Sequence, residues 1–153
     1  MNSKKTLLLA ILLFLILERV FVYITLPPVI EPDTGGYTSP ALHFLEHKNF
    51  GGTVWCRTPG YPLFIAAVYS INPSNKTVIL FQHLMGIFMI LLILKLIPSL
   101  TGKLLAGVLF AIDLQLLRYE HSIMSDFLFT FIIVFIFYFF YKYIQSGKIF
   151  YII

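Results

Sequence analysis

Phe127-Leu128-Phe129-Thr130-Phe131-Ile132-Ile133-Val134-Phe135-Ile136-Phe137-Tyr138-Phe139-Phe140-Tyr141 is a run in which only Thr130 is neither apolar nor aromatic. With the preceding Ile123-Met124-Ser125-Asp126 it has the length of a membrane helix, which needs about 20 mostly apolar residues. Residues 6–26 and 77–97 pass the same test. Residues 104–117 are fewer and contain Asp113, so they read as a span only if buried against their neighbours. The whole chain is 59% hydrophobic and 12% charged, against roughly 25% charged in soluble domains. A soluble reading therefore fails on composition. The net charge of +4 does not point to nucleic acid, because the basic residues are scattered beside the spans. One cysteine, Cys56, excludes an internal disulfide and a cysteine-based zinc cluster.

The amino terminus imitates a signal peptide: Lys4-Lys5 precede an apolar run. Glu18-Arg19 follow without a small-x-small cleavage pattern, and the apolar sequence resumes, so an uncleaved anchor is expected. A cytoplasmic amino terminus puts Lys4, Lys5, Lys95, Lys103, Lys142 and Lys148 inside. The longer outer segments then carry only Lys48, Arg57, Lys76 and Arg118, a bias that fits the positive-inside rule. Asp33, Arg57, Glu120 and Asp126 fall on the outer face in this topology. The expected fold is an all-α, polytopic membrane protein: about four transmembrane helices plus a partial fifth at 148–153, in one membrane domain over 1–153.

The outer loop, 27–76, is more than a linker. Pro27-Pro28 and Pro32 favour an extended start, because proline disfavours helix before it. Gly35-Gly36 permits a tight turn. Residues 38–47 suit a short helix, with Ala41, Leu42, Phe44 and Leu45 on its apolar side, and Asn49-Phe50-Gly51-Gly52 reads as a turn. Residues 62–71 are apolar again but too few to span. Both pieces are expected to be interfacial helices lying along the outer leaflet.

Ionisable residues within spans are expensive and face a cavity or a partner. Glu18 and Arg19, being adjacent, do not share a helix face, so each is expected to find a partner elsewhere, and Asp113 is the expected partner of Arg19 across helices. His83 beside Gln82 reads as a helix–helix hydrogen bonder rather than a ligand. Glu120 and His121 either line an outer cavity or belong to a solvated loop, the second being favoured. His43 and His47 share a helix face, but two histidines without a third ligand make a weak zinc motif.

Three stretches carry a family resemblance: Pro32-Asp33-Thr34-Gly35-Gly36-Tyr37 with Ala41 following, Arg57-Thr58-Pro59-Gly60-Tyr61-Pro62-Leu63-Phe64, and Met124-Ser125-Asp126-Phe127-Leu128-Phe129. Together with Gln82 and Gly86 they resemble the amino-terminal part of the polytopic GT-C glycosyltransferases. The likeness is to the bacterial branch near protein O-mannosyltransferases and lipid A aminoarabinose transferases, glycosyltransferase family 39-like. The third stretch has aspartate where the family more often has glutamate. The resemblance covers nearly all of this chain but only part of such an enzyme, and it implies an amino-terminal fragment of a longer protein in a bacterial plasma membrane.

That resemblance implies transfer of a sugar from a polyprenyl-phosphate carrier to an acceptor at the outer face. Asp33 would take the proton of an acceptor hydroxyl as the sugar–phosphate bond breaks. Its alternative role is to hold a divalent cation at the leaving phosphate, and its structural alternative is a helix cap. Arg57 would pair with the carrier phosphate or meet lipid headgroups. Asp126 would assist the acceptor, or ligate a metal with Asp33, or serve as a helix-start acid, with Ser125 as a neighbouring cap. Tyr37 and Glu120 join the expected substrate-binding set. Tyr61 reads as a member of the aromatic belt, and Tyr37 fits either belt or pocket. The rival class is non-enzymatic: a small membrane scaffold, or an accessory subunit lending its acids to a partner. A transporter fragment is a third reading, but it predicts polar residues through the full depth of several spans.

Overall fold

The computed structural model describes residues 3–50 and 58–147. Arg57, Cys56 and the expected fifth span at 148–153 lie outside the described residues. The elements are α1 (Ser3–Thr25), α2 (Gly35–His47), α3 (Gly60–Tyr69), α4 (Asn75–Leu96), α5 (Leu100–Ile112), α6 (Leu114–Glu120) and α7 (Ser125–Ser146). All seven are helices; among the described residues the extended structure is an isolated bridge between Val29 and Ser122.

Three helices, α1, α4 and α7, are long and apolar enough to cross a membrane, and the bent pair α5–α6 makes a fourth crossing if counted as one span. α4 is the central element and packs on α1, α3, α5, α6 and α7. α1 lies against α5, and α2 against α3. α1 and α7 leave wide apolar faces exposed, including Leu13, Phe21, Phe129 and Phe137. An aqueous solvent would make such faces untenable; lipid makes them ordinary, because the hydrocarbon is as apolar as the side chains.

Local signals explain where helices begin and end. Ser74 caps α4 by accepting from the Lys76 amide, and Ser99 caps α5 by accepting from the Gly102 amide at 3.0 Å. Gly147, at φ 63°, closes α7 in the left-handed conformation that glycine adopts without penalty. Asp113 breaks the expected third span. Its side chain accepts from the Leu116 amide at 3.0 Å, caps α6, and lets the chain turn by 64° between α5 and α6. The expectation of a single helix over 104–117, buried on its neighbours, is corrected: α5 starts at Leu100, and Leu105, Val108, Leu109 and Ile112 are exposed.

In the outer loop, α2 begins at Gly35, so Gly35-Gly36 form its first turn rather than a separate tight turn. α3 is largely buried, with Tyr61, Ile65, Ala66, Val68 and Tyr69 in one cluster with Tyr37 and Ala41 of α2 and Val78 and Ile79 of α4. A second cluster joins Leu15 of α1 to Ile90 and Leu94 of α4, with Ala106 and Phe110 of α5 against it.

Candidate functional site

A row of buried polar side chains separates those two apolar clusters, and Glu120 is its centre. Its carboxylate is fully buried. Oε1 accepts from Arg19 Nη2 at 2.7 Å, and Oε2 lies 3.1 Å from His83 Nδ1. His83 Nε2 lies 3.0 Å from His121 Nδ1, and His121 Nε2 lies 3.0 Å from the Pro27 carbonyl at the end of α1. Arg19 Nη1 also donates to the Leu15 carbonyl at 3.2 Å and meets Glu18 Oε2 at 3.4 Å. Its Nε has no partner among the described residues. Burial pushes the His121 imidazole below the ordinary histidine range, so its neutral form is favoured.

Two expectations are corrected here. Arg19 pairs with Glu120 and with its neighbour Glu18, not with Asp113, which is exposed and spent on capping α6. The guanidinium is long enough to fold back past the helix face that adjacency assigns it. Glu120 and His121 are not in a solvated loop: both are buried, because the bend at Asp113 turns α6 inward onto α4 and α7. The reading of His83 as a helix–helix hydrogen bonder holds.

Gly86 makes room for the carboxylate. A Cβ built there would lie 2.5 Å from Glu120 Cδ, closer than real contacts allow. One turn earlier, Gln82 closes the end of α6. Its Nε2 lies 3.3, 3.0 and 2.8 Å from the carbonyls of Tyr119, Glu120 and Ser122. Helix ends leave carbonyls without partners, and a side-chain amide from another helix satisfies them here. The Tyr61 hydroxyl donates to Gln82 Oε1 at 2.7 Å. Tyr61 is therefore a buried network member rather than a belt residue, and burial pushes its phenol well above the ordinary tyrosine range.

Above this row the two acid-bearing motifs meet. The extended segment after α1 runs beside the α6–α7 connection: the Val29 amide donates to the His121 carbonyl at 3.0 Å, and the Ile123 amide to Val29 at 3.4 Å. Thr34 Oγ1 accepts from the Glu31 amide at 3.0 Å and donates to the Ile123 carbonyl at 3.4 Å. Tyr37 Oη and Ser125 Oγ are 3.0 Å apart, and the Tyr37 ring stands edge-on to Tyr61 at 5.0 Å. Tyr37 of α2 is thus buried against Tyr61 of α3 and Ser125 of α7. Asp33 sits half-buried one residue before Thr34, the N-cap position of α2, and its carbonyl accepts from the Gly36 amide at 2.9 Å. Asp126 is exposed in the first turn of α7, where the helix dipole favours an acid, and Ser125 spends its hydroxyl on Tyr37 instead of capping.

His43 and His47 stack at 4.3 Å, with each Nδ1 on a backbone carbonyl, and no group of three metal-binding side chains occurs among the described residues. The Gln82–Glu120 pairing was invisible to sequence reasoning. The available signal was Gly86, one turn after Gln82, in a span otherwise built of bulky side chains. No family model matches the chain, and neither the curated proteins nor the solved structures hold a significant match to it.

Proposed function

We propose that this chain is the amino-terminal part of a membrane glycosyltransferase that moves a sugar from a polyprenyl-phosphate carrier to an acceptor at the outer membrane face. The observation that carries the reading is the meeting of two motifs far apart in sequence. The segment with Asp33 and the segment with Asp126 are joined by the Tyr37–Ser125 and Thr34–Ile123 hydrogen bonds. In this reading Asp33 takes the acceptor's proton, with Asp126 assisting. Arg57, on the same outer loop, neutralises the carrier phosphate. Tyr37 borders the sugar. Glu120, buried and ion-paired, acts as a positioning residue under the site rather than touching substrate. A divalent cation held by Asp33 remains compatible with the chemistry.

The charge bias across the spans supports a cytoplasmic amino terminus and a plasma-membrane location, and α2 and α3 then roof the outer surface as interfacial helices. The test is Asp33→Asn in the full-length protein, assayed for transfer from a polyprenyl-phosphate sugar. Transfer should be abolished with the fold intact; undiminished transfer defeats the assignment. The second reading is an accessory subunit whose spans pack on a partner chain through the exposed faces of α1 or α7, in place of lipid. A stable, stoichiometric complex with another membrane protein, together with no transfer by the purified chain, would select it.

A further inference from the structure

The row from Pro27 to Glu120 contains three close contacts: Pro27 O with His121 Nε2, His121 Nδ1 with His83 Nε2, and His83 Nδ1 with Glu120 Oε2. Each contact needs one proton between its two atoms, so the row needs three. Two neutral imidazoles supply one each, and an ionised carboxylate supplies none. Whatever the order of tautomers, the row is complete only with one additional proton. Without it, two lone pairs face each other inside a buried site, where an unmade hydrogen bond is most costly.

We propose that His121, His83 and Glu120 form a buried proton-binding site, and that the bound proton clasps the α6–α7 connection onto α1 and α4. The charged groups of α1 face the same row: Arg19 holds the other Glu120 oxygen at 2.7 Å and meets Glu18 at 3.4 Å. The other groups bearing on the row are Lys76 at the start of α4, whose Nζ lies 5.1 Å from the Tyr23 ring, and Tyr61 of α3, which reaches it through Gln82. The row ends at the exposed Pro27 beside the outer loop, so the outer aqueous phase is the natural source of the proton. This inference stands whether or not the chain is a glycosyltransferase.

The sign follows from proton counting. The additional proton lies between His83 and Glu120, which leaves His121 neutral. The three contacts are complete only while it is bound, so the clasp weakens as pH rises and the proton leaves. Glu120→Gln tests this directly: the amide keeps an oxygen for Arg19 and supplies a permanent N–H to His83. Thermal unfolding of the detergent-solubilised chain should show a midpoint that falls on the alkaline side for the native sequence and stays flat in E120Q. An equal alkaline fall in both, or none in the native chain, overturns the proposal. A second measurement covers the case in which E120Q does not fold. Histidine 15N and glutamate carboxyl 13C NMR of a chain with His43→Gln and His47→Gln should find one proton beyond two neutral rings and a carboxylate at pH 6.5. Finding two neutral rings beside an ionised Glu120 refutes it.

Discussion

Replacing Gly86 by alanine should strike the centre of the fold with a single methyl group. The added Cβ would sit 2.5 Å from Cδ and Oε1 of Glu120 and 2.7 Å from Oε2. Relief requires the carboxylate to move by about an ångström to reach ordinary contact distance. It cannot do so freely, because Arg19 holds one oxygen at 2.7 Å and His83 holds the other at 3.1 Å. Breaking a buried ion pair costs about 3–5 kcal/mol, and the better helix propensity of alanine returns about 1 kcal/mol. The expected loss is roughly 2–4 kcal/mol, or a fall in Tm on the order of 4–15 °C for a chain of this size. The assay is thermal unfolding in detergent followed by circular dichroism, with Gly60→Ala as the control, since nothing lies within 4 Å of a Cβ there. Gly107→Ala should fall between them, because its Cβ meets a single apolar side chain, with Ile11 Cγ2 at 2.8 Å and no ion pair to break. Glu120→Ala should make a subsequent Gly86→Ala change nearly neutral, since the two act through one contact. A Gly86→Ala protein as stable as Gly60→Ala would refute the reasoning, as would equal effects with and without Glu120.

Gln82→Leu leaves the carbonyls of Tyr119, Glu120 and Ser122 and the Tyr61 hydroxyl without their partner. At about 1–3 kcal/mol for each of these four groups left unsatisfied, the loss should be about 4 kcal/mol or more. Gln82→Glu should be nearly as damaging, because a carboxylate has no N–H for the carbonyls; unfolding midpoints of the two variants check this. Arg118→Ala removes a pair with Glu31 that is 2.9 Å long but largely exposed. It should change stability by less than about 1 kcal/mol, measured in the same scan. A larger loss would mean that the outer loop depends on its rim charge more than on the Val29–Ser122 bridge.

The membrane class was legible in the residues alone. A bilayer core demands apolar length in one uninterrupted segment, so α1, α4 and α7 announce themselves locally. The short helices of the outer loop were legible too: Ala41, Leu42, Phe44 and Leu45 give one an apolar side, and the unbroken apolar run after Pro62 is too short to span. Asp113 was legible as a polar residue in an apolar stretch, but not as a cap that bends the chain. That distinction depends on whether the backbone amide of Leu116 or a distant guanidinium claims the carboxylate.

The choice of partners belonged to the tertiary structure. Arg19 and Glu120 are separated by 101 residues, and no local pattern ties them together. Once α6 turns inward, Glu120 reaches Arg19, His83 and the space over Gly86 at the same time, and Gln82 is left facing the open carbonyls at the end of α6. Sequence determined that ionisable groups placed in spans must find partners, because an apolar medium leaves them no other stabilisation. Only the packing of α1, α4 and α6 decided which partners these are, since hydrogen bonds are satisfied by proximity in space and helix bends set that proximity.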